Sequence, residues 1–173
     1  MSELESLINR ARKLGHDYPD IYHGCAPTTF LAVADTLGMP VSNEMFRMTA
    51  GLSSVTGGCG GICGSAAAVG LRFGSDRESF QGSNPPTKAS LTPQILQAVK
   101  QVRDRFAETY GGYLCRDIQS RLFGRTFDAT NPEDMAAFRR LDGSSVCRHV
   151  TANAAGWAVE AILAAEASPD QHP

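Results

Sequence analysis

Along the chain the apolar residues recur at intervals of three and four, and nowhere do they alternate with polar ones over a useful length. A period near 3.6 gives a helix one dry face, whereas a half-buried strand needs a period of two. The chain is thereby restricted to helices packed on helices. Residues 92–110 are the plainest case. Ile95, Val99, Val102, Phe106 and Tyr110 form one stripe behind Thr92-Pro93, and Gly111-Gly112 ends it. Residues 3–14 place Leu4, Leu7, Ile8 and Ala11 on one face. A second helix begins near Gly24, with Pro27 in its first turn, where a missing N–H is harmless, and stops at Gly38 and Pro40. Ser42 is the N-cap of a helix reaching about Ala50, and "CGSAAAVGLRF" reads as a small, apolar helix closing at Gly74. Further helices hold Leu114, Cys115, Ile118 and Leu122, start at "NPED" with Asn131 as cap, and run from about Ser145 to Glu166 with Val150, Ala154, Trp157 and Ala161 as their stripe. The expected fold class is all-α: a compact multi-helix bundle of five to eight helices, with a Gly-rich loop and one long polar loop over residues 75–90.

Charge and composition exclude several functions. Sixteen Lys and Arg against eighteen Asp and Glu leave a net charge of −2, and no basic run argues for nucleic acid. The opening "MSELESLINRARKLG" lacks the apolar core of a signal peptide. No apolar run approaches the roughly 20 residues that span a bilayer, so no membrane contact is expected and the expected compartment is the cytoplasm. There thiols stay reduced, and Cys25, Cys59, Cys63, Cys115 and Cys147 need an explanation other than structural disulfides. The options are inert buried thiols, a metal or cluster site, or redox-active thiols. Their dispersion rules out a compact zinc finger or a ferredoxin spacing, so any shared site is assembled by the fold.

Two of these cysteines lie in "TGGCGGICG", residues 56–64. Glycine weakens helices and strands and belongs where the backbone takes a positive φ or approaches something closely. The spacing predicts that Cys25, Cys63, Cys115 and Cys147 each fall at or near a helix N-terminus, where unpaired N–H groups and a positive partial charge favour thiolate and suit an anionic cluster. Cys115 shares a stripe with Ile118 and Leu122, and Cys147 with Val150, Ala154 and Trp157, so both point into the bundle. Any one such cysteine reads most simply as a small buried hydrophobe; the four together, beside the glycines, read as a site.

The segments "GCAPTTFLAVADTLGMP", "TAGLSSVTGGCGGICGSAAAVGLRFG", "YGGYLCRDIQSRLFGRTFDATNPEDMAAFRR" and "CRHVTANAAGWAVEAIL" resemble the C-GCAxxG-C-C family of redox-active proteins, over about residues 22–163. They are also similar to the cluster-binding domain of split-Soret cytochromes. By position, the four cysteines of the family name fall on Cys25, Cys63, Cys115 and Cys147. The family resemblance implies a helical redox domain, here residues 1–168, before a disordered tail over 169–173. The cytochrome resemblance implies a [2Fe–2S] iron–sulfur cluster held by these four thiols. No Cys-x-x-Cys-His motif occurs, so no haem is carried over. The chain departs from the pattern at the centre, where "ICGSAA" stands for GCAxxG and Cys59 is extra. On this mapping Gly57, Gly58, Gly60 and Gly61 let the loop wrap the cluster, Gly64 stands next to the ligand Cys63, Cys63→Ser removes a ligand, and Cys59→Ser does not.

Other residues carry weaker signals. His23 and His149, each two residues from a mapped cysteine, are alternative ligands at helix ends, and Cys59 is another. Arg116 and Arg148 follow mapped cysteines and would offset cluster charge or meet an acidic donor. The glycine run is not a phosphate loop, since the Gly-Lys-Ser/Thr ending is absent. The leading expectation is an electron-transfer protein, a carrier or accessory subunit rather than an enzyme in its own right, with a redox protein as partner and a second copy of the chain in a homodimer. The alternatives are a thiol–disulfide or sulfur-handling protein using Cys59 and Cys63, and a structural zinc module.

Overall fold

A computed structural model describes residues 2–52, 57–80 and 92–167; the proposed tail over 169–173 and most of the long polar loop lie outside them. Local chemistry sets most helix ends. Ser2 caps α1 (Glu3–Asp17) in a reciprocal box with Glu5. Ser42 caps α3 (Asn43–Ala50), Thr92 caps α5 (Pro93–Tyr110), and Asn131 caps α7 (Pro132–Arg140). Gly38, Gly111 and Gly124 take left-handed backbone at the ends of α2 (Cys25–Leu37), α5 and α6 (Cys115–Phe123). With α4 (Gly60–Phe73) and α8 (Gly143–Glu166), eight α-helices stand among the described residues, with no strand and one isolated bridge between Gly58 and Leu114. The fold is the all-α multi-helix architecture that the periodicity predicts.

The last helix is the central one. α8 packs against α1, α2, α4 and α5, while α3 rests on α2, α6 on α5 and α7 on α8. Its buried positions include Ala152, Ala154, Ala155, Ala158, Ala161 and Ala165 along with Trp157, Val159 and Ile162. A helix buried on most of its faces is apolar most of the way round, and alanine lets four neighbours come close. Phe106, Tyr110 and Trp157 interlock where α5 meets α8, with ring centroids 5.3–6.2 Å apart. Such rings favour tilted and edge-on contacts.

The glycine run departs from the expected loop. Of residues 57–64, only Gly57, Gly58 and Cys59 lie outside a helix. Gly60 and Gly61 already form the first turn of α4, which therefore starts three residues ahead of Cys63. The reason is contact across the α2–α4 seam. A Cβ on Gly60 would lie 2.5 Å from Cys25 Cβ and 2.7 Å from Ala26 N, and one on Gly64 would strike Ala26 O. Helix propensity opposes glycine here, and close packing overrides it.

Candidate functional site

Four chain segments meet at one end of the bundle, and each brings a cysteine. Cys25 is the first residue of α2, after Gly24 in a positive-φ conformation (φ 94°). Cys59 is the N-cap of α4. Cys115 opens α6, whose start is tied by the Asp117 carboxylate accepting from Leu114 N at 3.2 Å. Cys147 lies one turn inside α8. The backbones of the Cys59 and Cys115 segments are stitched together: Cys59 N donates to Tyr113 O at 3.2 Å and Cys115 N to Gly57 O at 3.0 Å.

The electrostatics define the group. Burial first, and then charge on Cys115, raises the Cys25 thiol to about 11. Burial, then Cys25 and Cys115, raises Cys147 to about 12. Cys59, 7% exposed, is pushed furthest up by burial and by Cys25 and Cys115, against the amides of Gly61 and Ile62, which favour its thiolate. Cys115 is raised by burial and acts on the other three. These four thiols form one set.

Cys63 stands outside it. It is half-buried, burial alone raises it, and it acts on none of the other four. Cys63, expected at a helix start, lies inside the first turn of α4, because α4 begins at Gly60 and Cys59 takes the N-cap position. Of the glycines singled out in the sequence, Gly58 forms the bridge to Leu114 and Gly60 packs on Cys25. Gly61 lies where a Cβ would be 3.5 Å from Cys59 Sγ, whereas Gly64 serves the contact with α2 and not the thiols. His23 is exposed at the rim, and His149 is exposed with its ring 5.4 Å from that of His16. All five cysteines are free thiols.

Cys25, Cys115 and Cys147 line a cleft of about 820 Å³, within the size range of small-ligand sites. Its far wall is the turn between α6 and α7. There Phe127 and Phe138 pack edge to face at 5.4 Å, and Phe127 N donates to Gln119 Oε1 at 2.9 Å. Arg125 lies over the Phe127 ring and pairs with Asp134. Arg148 lines the same cleft beside Cys147 and donates to Asp20 at 2.7 Å, while its buried Nε has no partner. Arg116 is exposed at the mouth. Among the described residues no three His, Cys, Asp or Glu side chains converge tightly enough to hold a single metal ion, and no helix is long and apolar enough to cross a membrane.

The family model described as "putative redox-active protein (C_GCAxxG_C_C)" matches residues 23–161. The chain belongs to this family. A redox role is what that membership carries. No curated protein and no solved structure matches the chain. The central letters of the family name can be set on either cysteine. Set on Cys59, its central letters GCAxxG read Gly58-Cys59-Gly60-Gly61-Ile62-Cys63, with glycine before the thiol and a small residue after it. Set on Cys63, they read Ile62-Cys63-Gly64-Ser65-Ala66-Ala67, with neither glycine of the motif in place.

Proposed function

We propose that this C_GCAxxG_C_C protein is an electron-transfer protein whose Cys25, Cys59, Cys115 and Cys147 hold an iron–sulfur cluster of the [2Fe–2S] type. The observation that supports the reading is that Cys25 and Cys115 both act on Cys59 and on Cys147, with Cys25, Cys115 and Cys147 lining the cleft. Four thiolates are the usual ligands of such clusters, and two irons spread those ligands over a wider space than one ion does. A structural zinc would need four donors at about 2.3 Å from one centre. When bound, the cluster supplies one-electron chemistry without bond rearrangement in the protein.

The chain's own residues do the rest. Helix N-termini at Cys25, Cys59 and Cys115 direct partial positive charge at the sulfurs. Gly60 and Gly61 let α2 and α4 approach until their first turns touch. Arg148 adds a cation at the cleft beside Cys147. Burial keeps the free thiols protonated, which makes them poor nucleophiles and speaks against thiol–disulfide exchange through Cys59. The reading includes a reducing compartment such as the cytoplasm, and a redox protein as partner that donates or accepts the electron at the cleft mouth.

Anaerobic reconstitution tests it. Brown protein with about two irons and two sulfides per chain is expected; colourless, metal-free protein overturns the reading. Cys59→Ser is expected to remove most of the bound iron, because hydroxyl suits iron poorly, and Cys63→Ser to retain it. The reverse result would return Cys63 to the ligand set.

A further inference from the structure

Two of the proposed ligands lie on segments that share an ion pair. Asp20 ends a short 3-10 turn, Tyr18–Asp20, ahead of Cys25 in the chain, and Arg148 follows Cys147 on α8. Arg148 Nη1 donates to Asp20 Oδ2 at 2.7 Å and Nη2 lies 2.5 Å from Oδ1, so both arms of the guanidinium grip both carboxylate oxygens. Such a fork fixes orientation as well as distance. The Arg148 side chain is 26% exposed, and its buried Nε is unbonded. Among the described residues Asp20 is therefore the one partner that holds it. The chain between Asp20 and Cys25 has little slack. Tyr22 N donates to Tyr18 O at 2.7 Å, the Tyr22 ring stands edge-on to Tyr18 and Phe46 at 5.4 and 5.5 Å, and Gly24 O accepts from Thr28 N and from Thr28 Oγ1. Pro19, Tyr22 and His23 line the cleft on this side, next to Cys25 and Arg148.

We infer that Asp20 and Arg148 are positioning residues: their fork ties the segment entering α2 to the α8 turn of Cys147, and so sets Cys25 against Cys147. The inference rests on the proposed ligand set. Partners of this kind, one step removed from the ligands, hold the ligands in the geometry that retains a metal. The competing role makes Arg148 a counter-charge for the sulfurs, with Asp20 only tempering it. The two roles give opposite signs. Loss of the Asp20 carboxylate loosens a clamp and releases iron, whereas it strengthens a counter-charge and holds an anionic group more tightly.

Asp20→Ala deletes both acceptors at a side chain that is 58% exposed, and Asp20→Glu keeps a carboxylate. In protein reconstituted anaerobically with iron and sulfide, the loss of iron to an excess of a ferrous chelator is followed by absorbance. The expected result is roughly tenfold faster loss in Asp20→Ala, with most of the original rate recovered in Asp20→Glu. Asp104→Ala, which removes the partner of Lys100 and Arg103 on the exposed face of α5, is expected to leave the rate in place. Loss no faster in Asp20→Ala than in the unaltered protein, or equally fast in Asp20→Ala and Asp20→Glu, overturns the inference and leaves the ligand set standing. If the unaltered protein takes up no iron, the ligand set fails, and the metal-free chain decides about the fork. Amide hydrogen exchange over residues 21–25 is then expected to be several-fold faster in Asp20→Ala and near the original rate in Asp20→Glu. Equal exchange in Asp20→Ala and the unaltered chain overturns the inference.

Discussion

The α1–α8 seam and the α2–α4 seam both depend on glycine, yet only the second brings two cysteines together. In the first, a Cβ on Gly15 would lie 2.8 Å from Thr151 O and 3.0 Å from Ala152 Cα, and Thr151 Oγ1 donates to Gly15 O at 2.7 Å. In the second, Gly60 and Gly64 meet Cys25, Ala26 and Thr29 at similarly short range. The backbone solution is the same: remove the Cβ and let two helices touch. The difference lies in where the contact falls along the helices. The α2–α4 contact includes the first turns of both helices, so it brings N-terminal amides and two cysteines together. The α1–α8 contact joins the end of α1 to the middle of α8, where backbone groups are already paired within the helix. Glycine around a cysteine thus reports packing first, and chemistry only where the packing brings helix starts together.

The largest expected effect comes from breaking each seam in turn. Gly64→Val drives a side chain into the Ala26 carbonyl, which cannot move as a flexible side-chain end could. A loss of about 3 kcal/mol or more is expected, at or above the upper end for overpacking, together with loss of iron retention. Gly15→Val is expected to lower the melting temperature comparably while the protein that remains folded still binds iron. Equal loss of iron per folded chain in both variants would erase the distinction between the seams.

Next in size is the aromatic wall. Phe127 is 9% exposed and packs on Phe123 and Phe138 at 5.6 and 5.4 Å. Phe127→Ala is expected to cost about 3–5 kcal/mol, read from denaturant unfolding. An unchanged midpoint would detach the α6–α7 turn from the core.

The third prediction concerns pH and sets the thiol end against the seam that lacks thiols. In metal-free protein Cys25 and Cys147 stand at about 11 and about 12, against an ordinary value of 9.0. Their folded-state values are raised, so this contribution to stability is complete below pH 9 and is lost as pH rises through 11 and 12. A melting temperature that falls over that window, and falls less in Cys25→Ser, is expected. Metal-loaded protein is expected to respond the other way, releasing metal as pH falls, because the ligands must be thiolates. The smallest effect belongs to Thr151→Val, which removes the hydrogen bond to Gly15 O from the α1–α8 seam at about 1 kcal/mol and leaves iron content untouched.

Much of the fold was legible because helix ends are local. Ser42, Thr92 and Asn131 each cap the helix that the spacing predicts, and Gly38 and Gly111 end α2 and α5 as expected. The turn after α6 was legible in part. For "FGRTFD" the sequence leads one to expect Phe123 and Phe127 buried and Arg125 bonded to backbone carbonyls or to Asp128; Phe127 is buried, Phe123 is half-buried, and Arg125 donates to Thr126 O at 3.3 Å while its ion pair is with Asp134. A charged side chain finds its partner across a turn, at a register the sequence does not display. Cys147 was expected at a helix start and lies one turn in, because Gly143 and Ser144 are already helical.

The sequence by itself determined an all-α chain, the register of most of its helices, and the placing of Cys25 and Cys115 at helix starts. Caps, left-handed glycines and apolar stripes act within a few residues, so they can be read without the fold. Only the tertiary structure decided where α4 begins. A run of glycines carries no local preference for helix, and α4 begins at Gly60 solely because α2 lies against it and leaves no room for a Cβ. That contact moves the helix start by one turn, sets Cys59 among the other thiols, and leaves Cys63 half-buried beside them.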